Sequence, residues 1–426
     1  MKKLLIAMML PLMAQAQTLE ECQQAAERNY PLIRQYDLIS RTTDLTVANI
    51  GKGWLPQVSA SAQATLQSDV VSWPDQIQAI YQQMGLNMKG LKKDQYRIGI
   101  DVSQTVYDGG IMRSQKNIAR QQGAVEEAQT EVTMYQVRRR VNEMYFGLLL
   151  LDEQIRLNAD LQELLGGNEK KLNAMWKRGT AAESDYLSMK AERLNVRQQG
   201  ASLESQRRSL ATMLSVFCGM EVTAPSKPPR GEASALSLGV ERGGLRPELK
   251  AIDAQLRLAD AQERSLDAAL KPKLSVFASG FYGYPGYNMF EDMMSHNWSL
   301  NGMIGARLQW NIGVLYTRKN DKTRIQLQRD RTETNRDVFL FNNDLEQIQH
   351  NEDIERFRSQ MKDDEEIISL RSAVRKAAES KLSHGIIDVN DLMRDINAEN
   401  AAKVQQRMHE IEMLKEMYDL KFTTNN

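Results

Sequence analysis

This sequence is written twice, and that constrains the fold more than any other feature. The stretch "NYPLIRQYDL…GKGWLPQVSASAQATL", beginning at Asn29, is echoed by "LRPELKAIDA…AALKPKLSVFASGFY", beginning at Leu245. Pro31 and Pro56 stand in the same spacing as Pro247 and Pro272. "YRIGIDVSQTVYDGG" (96–110) corresponds to "LNGMIGARLQWNIG" (300–313). A third pair, "KRGTAAESDYLSMKAE" and "SHGIIDVNDLMRDINAE", carries Gly179 and Gly385 six residues before Asp185 and Asp391. Three ordered correspondences define a tandem duplication, each copy reading helix, two strands, long helix, turn, helix.

The strands are set by period. In "QVSASAQATL" (57–66), Val58, Ala60, Ala62, Ala64 and Leu66 alternate with polar residues, the pattern of a strand with two unlike faces. Four such segments are expected, at about 57–67, 96–107, 273–284 and 299–311. In the second, Ile98, Ile100, Val102 and Val106 share a face; in the fourth, Leu300, Ile304, Ala306, Leu308 and Trp310 do.

Between Gly110 and Gly179 no proline interrupts, and Met134, Val137, Val141, Met144, Leu148, Leu151 and Ile155 alternate three and four apart, a coiled-coil seam. Such a segment would extend roughly 100 Å as a helix. The second copy has one of similar length, from about Val314 to His384. The flanking helices, about 18–53 and 186–218, are each short enough to meet end to end beside the long one. The domain plan is therefore a first repeat over 17–222, a Pro-, Gly- and Ser-rich linker over 223–244 and a second repeat over 245–426. Tip turns are expected at 178–185 and 384–391.

Residues 1–16 read as a Sec-type signal peptide: Lys2 and Lys3, an apolar run too short to span a bilayer, then Ala14 and Ala16. The protein is thus expected to leave the cytoplasm. A net charge of +0 gives no reason to expect nucleic acid as a partner. Cys22 and Cys218 are too few for a disulfide framework and read as small buried residues.

No enzyme signature is present. His296, His350, His384 and His409 have no ligand spacing, and neither a P-loop, a GxSxG nor a Rossmann glycine pattern occurs. The acid pairs Asp363–Asp364 and Glu365–Glu366 read as a solvated helix face. No cofactor and no metal are expected.

An apolar strand face with no spare layer to cover it is suited to lipid, while its polar face suits water. Four strands cannot close a barrel, and their open edges are intolerable in lipid. Several chains must therefore each contribute four. At this point the whole mature chain resembles the TolC-like outer-membrane efflux and export proteins, through "TLEECQQAAERNYP", "GWLPQVSASAQATL", "SQTVYDGG" and the paired Gly…Asp turns. The resemblance implies a mainly α fold with membrane β: tandem coiled-coil hairpins plus two β-hairpins per chain. Three chains would form a shared 12-stranded β-barrel in outer-membrane lipid, on a periplasmic α-helical tunnel.

The function implied is a passive exit duct. An inner-membrane pump of RND or ABC type would deliver substrate through a periplasmic adaptor (membrane fusion protein), whose engagement opens the tip. Gly179, Thr180, Asp185, Gly385 and Asp391 would be the tip residues the adaptor touches. Asp391 matches a position forming an acidic constriction ring in the family; Arg394, where some members carry a second aspartate, departs from the pattern and could latch the tip through Asp391 or a neighbour's acid. The alternative is a secreted or surface coiled-coil structural or adhesion protein without channel activity. Loops 68–94 and 285–298 would face outward, with Ile77, Ile80, Tyr81 and Met84 spaced for a short helix. Trp54, Tyr107, Trp298 and Trp310 near strand ends fit aromatic girdles.

Overall fold

The structure is a computed structural model describing residues 17–86, 90–223, 225–228 and 246–424. The expected signal peptide and most of the expected linker lie outside the described residues. In chain order the elements are α1 (Leu19–Asn29), α2 (Ile33–Gly51), β1 (Gln57–Leu66), α3 (Asp75–Gln83), β2 (Asp94–Tyr107), α4 (Ile111–Lys177) and α5 (Glu183–Cys218). Then follow α6 (Pro247–Ala269), β3 (Lys273–Tyr284), α7 (Met289–Ser295), β4 (Ser299–Gln309), α8 (Val314–Ser383) and α9 (Val389–Thr424). The chain is mainly helical with two β-hairpins, and α4 and α8 run uninterrupted for 67 and 70 residues.

Local chemistry explains the boundaries. Thr18 and Glu21 form a reciprocal capping box at the start of α1. The segment 18–53 is not one helix, because Pro31 forces Tyr30 into an extended conformation (ψ 128°) and α1 stops before it. Asp108 opens α4: its carboxylate accepts from the amides of Gly110 at 2.8 Å and Met112 at 2.6 Å. Pro247 occupies the first position of α6, where its missing N–H costs nothing.

Two compact units are formed. The helical unit contains the described residues of Glu127–Ile252, of Thr334–Asn426 and before Leu38. In it α4 and α5 run antiparallel, tied by Arg207–Asp152 and by Arg193–Glu169 at 2.5 Å. The same holds for α8 and α9, tied by Arg375–Glu399 and by His409–Asp364 at 2.8 Å. One core surrounds Tyr145, Phe146 and Leu148 and gathers Leu19 of α1, Leu214 of α5 and Leu414 of α9. Most of the expected α4 seam lies here: Val141 and Leu148 are fully buried, and Leu151 and Ile155 are half-buried. Cys22 and Cys218 are free and buried in this core, and the Cys218 thiol donates to the Cys22 carbonyl at 3.4 Å. Where α1 and α5 end together, the Asn29 amide donates to the carbonyls of Val216 and Phe217 at 2.9 and 3.2 Å.

The charged face expected on α8 needs correction. Asp364 is buried and bonds His409 of α9, while its neighbours Asp363, Glu365 and Glu366 are exposed. Consecutive helical residues point in different directions, so a run of acids always turns some members inward.

The second unit, Leu38–Glu126 and Asp253–Glu333, carries an antiparallel sheet in the order β1-β2-β3-β4. Here α6 is held on α8 by charge: Arg329 pairs with Asp260 and Glu263, and Arg318 with Asp267, each at 2.6 Å.

Candidate functional site

The sheet has two unlike faces because its register preserves them across every strand. Ala62, Ile98 and Tyr282 lie opposite one another, as do Val58, Val102, Ala278 and Ile304. One face is therefore apolar except for Gln104, opposite Val276 near the helix end, and its members stay bare: Ile304 is 85% exposed and Leu300 83%. The other face carries Ser59, Ser61, Gln63, Asp101, Ser103, Ser275, Ser279 and Arg307. One expected member changes. A bulge between Thr105 and Tyr107 places Tyr107, not Val106, opposite Leu274 on the apolar face. An inserted residue reverses the alternation, which sequence period alone does not reveal.

Aromatic rings bound the apolar face at both ends. At the loop end Trp298 stacks on Tyr96 at 5.8 Å and meets Tyr282 at 5.4 Å. At the helix end stand Trp54, Tyr107 and Trp310, with the Trp310 indole donating to the Leu270 carbonyl at 2.9 Å. Between them, Leu274 to Tyr282 of β3 runs roughly 27 Å along the strand, which a barrel tilt of about 40° turns into roughly 21 Å of height, somewhat under that of an apolar barrel band. The loops beyond pack on each other: Leu91, Tyr284 and Met293 are buried together beside Trp73. The short helix α3 forms there, holding Ile77, Ile80 and Tyr81, with Met84 at its C-terminal end.

The tip turns are built twice by one device. Gly179 (φ 74°) and Gly385 (φ 71°) take the left-handed conformation that closes a helix. Gly179 donates to the Trp176 carbonyl at 2.8 Å and Thr180 to Met175 at 2.9 Å; Gly385 donates to Leu382 and Ile386 to Lys381, both at 3.0 Å. A Cβ at either glycine would meet nothing within 4 Å, so both turns are bare. Asp185 and Asp391 lie not in the turns but in the first helical turns of α5 and α9, favoured there by the helix dipole. The Asp388 carboxylate accepts from the Asp391 amide at 2.9 Å. Asp391 itself pairs with Arg394 at 3.2 Å, on the same helix and in solvent. Behind the turns a shared core of Leu165, Leu172, Met189, Ala378, Val389 and Leu392 packs the two tips side by side.

Further along α9 lies a charge cluster that sequence reasoning did not identify. Buried Glu399 accepts from Lys403 at 2.8 Å and from Arg375, which also holds Glu379 at 2.7 Å. Burial disfavours the Glu399 carboxylate, but the bonds from Lys403 and Arg375 outweigh it and lower the pKa. Its stabilising contribution is complete above the ordinary value of 4.5 and is lost as pH falls through the lowered folded value. Glu399→Gln is expected to cost about 2 kcal/mol at pH 7 and much less at pH 2–3. Urea unfolding of both proteins across that range checks it; an equal deficit at both ends would exclude the ionic role.

Among the described residues no His, Cys, Asp and Glu cluster is placed to hold a metal ion, and no helix is long and apolar enough to cross a membrane. Among the described residues, twin helical hairpins, bare glycine turns and a two-faced four-stranded sheet with no partner on either outer edge make up a fold found in solved outer-membrane channels. Solved structures share it along nearly the whole chain. CusC matches over 95% of this chain and 91% of its own, at TM-score 0.69 and 12% identity. The Campylobacter jejuni outer-membrane channel CmeC matches over 95% and 85%, at 0.65 and 12%. The open state of the Neisseria gonorrhoeae outer-membrane channel MtrE matches over 96% and 89%, at 0.66 and 13%. No family model and no curated protein matches the sequence.

Proposed function

We propose that this chain is one third of a passive outer-membrane exit duct. Three sheets would close a 12-stranded barrel around a polar lumen, with the helices forming a periplasmic tunnel. The observation that carries this reading is the sheet itself: a bare apolar face between two aromatic girdles, with β1 and β4 each unpaired on one side among the described residues. Open edges in lipid leave backbone groups without partners, and only pairing with further copies satisfies them. The adhesion-protein alternative gives this sheet no role.

The protein mass of the particle extracted in detergent from salt-washed outer membranes tests the reading. Three chains per particle are expected; a stable monomer, or recovery in the soluble fraction, would overturn it.

In this function an inner-membrane pump, of RND or ABC type, and a periplasmic adaptor supply energy and substrate. The duct opens at the tips when the adaptor docks on Gly179, Thr180, Asp185, Gly385 and Asp391. Support comes from the bare turns, where added bulk would block docking without disturbing packing. Arg394 meets Asp391 within its own helix, so the latch is its reach to an acid of a neighbouring chain. Arg394→Ala is expected to raise single-channel conductance in planar bilayers, and unchanged conductance would remove the latch.

A further inference from the structure

The polar face of the sheet holds one construction twice. On β2 the Arg97 guanidinium lies over the Phe281 ring, 3.8 Å from its centroid. Two residues on, a Cβ at Gly99 would stand 3.1 Å from the Phe281 Cβ. On β4, Arg307 lies over Phe277 at 5.1 Å, and a Cβ at Gly305 would meet that ring at 2.8 Å. Both rings belong to β3, so the middle strand holds one arginine from each neighbour. The Phe277 ring fills the gap beside Gly305, Gly99 makes room for the Cβ of Phe281, and each guanidinium stacks on its ring, fixing its charge against the wall. The two pairs are not equivalents under the duplication: Arg97 enters near the start of β2 and Arg307 near the end of β4.

The charge on this face is unbalanced. Arg97, Arg307 and Lys273 face one strand carboxylate, Asp101, in the observed register. Among the described residues neither arginine has an acidic partner at ion-pair distance. Arg97 stands level with Gly283 and Arg307 with Ser275, placing positive charge at two levels roughly 27 Å apart along β3.

We infer that the barrel interior is an anion filter, in which Arg97 and Arg307, stacked on Phe281 and Phe277, concentrate anionic solutes over cationic ones. The inference rests on the duct reading, which makes this face the lumen and triples its excess charge. A low-dielectric wall focuses such a field, and low salt preserves it. Anionic organic cargo would therefore pass the barrel more readily than cationic cargo of equal size.

Cysteine reactivity separates the two ideas. Gln63→Cys lies opposite Arg97, Ser275→Cys opposite Arg307, and Ala62→Cys on the apolar face. The native Cys22 and Cys218 are buried and contribute little background. Full-length protein carrying one added cysteine would be reconstituted in phosphatidylcholine vesicles at low salt. It would then be treated with an anionic sulfonatoethyl or a cationic trimethylammonioethyl methanethiosulfonate. A lumenal potential of about one kT predicts an anionic-to-cationic rate ratio about sevenfold above that of a small free thiol. Arg97→Glu and Arg307→Glu should bring their respective ratios below that of the free thiol. Any effect of the arginines on thiol ionisation cancels, because both reagents meet the same thiolate. An anionic-to-cationic ratio equal to or below that of the free thiol at Gln63→Cys and Ser275→Cys, with Ala62→Cys silent, would overturn the filter and leave the duct standing. Reaction at Ala62→Cys as fast as at Gln63→Cys would show the apolar face wet, overturning the duct reading and the filter with it.

Discussion

Arginine in place of Ile304 is expected to cost roughly 2–4 kcal/mol and to deplete the protein from the outer membrane. Ile304 is 85% exposed and lies midway along β4, opposite Ala278. On a surface facing water, substitution at so bare a position changes stability by about 0.5 kcal/mol or less. On a surface facing hydrocarbon the charge has nowhere to go, so the size of the effect reports the solvent. Met303, the preceding residue, is on the polar face opposite Ser279. Met303→Arg is therefore expected to be nearly neutral. Unfolding in lipid vesicles and outer-membrane yield measure both. Equal behaviour of the two variants would remove lipid from the account.

Arg246→Ala is expected to destabilise the helical unit by about 3–5 kcal/mol, the usual consequence of breaking a buried ion pair from one side. Arg246 is 4% exposed and immediately precedes α6. It pairs with Glu248 at 2.8 Å and donates to the carbonyls of Phe422 and Thr423 at 3.3 and 3.1 Å, in the last turn of α9. Those carbonyls are among the four a helix end leaves without partners. Its guanidinium also lies 5.2–5.3 Å from the rings of Tyr135, Phe339 and Phe422. Removing it strands the Glu248 carboxylate and two carbonyls together. Glu248→Gln in the Arg246→Ala background should recover part of the loss, because the stranded charge disappears. Urea unfolding followed by helical circular dichroism reads both variants; additive effects would show that Glu248 is not the group left unpaired.

Arg246 also shows where sequence reading stopped. The duplication made Pro247 visible as the partner of Pro31, yet the arginine beside it carried no periodicity and matched no motif. Its role depends on carbonyls and rings brought from α4, α8 and α9. Glu399 and Asp364 escaped for a related reason: both sit in highly charged helices, and only the antiparallel pairing of α8 with α9 selects which acids are buried. The bulge at Val106 was likewise illegible, since alternation continues through it in the sequence while the side chains change faces.

The tip glycines were legible because a left-handed helix terminus is a local demand that glycine meets without strain. Their environment was not. That the two tips share one buried core through Leu172, Met189, Val389 and Leu392 joins segments far apart in the chain.

By itself, then, the sequence determined the duplication, the two-faced strands, the long helices and the turns that end them. Each follows from a period of two, or of three and four, or from one residue's backbone freedom. Only the tertiary structure decided which charges are buried, where the sheet changes parity and which arginines lie on phenylalanines across its polar face. Those choices depend on register between distant segments, and register is settled when whole faces pack together.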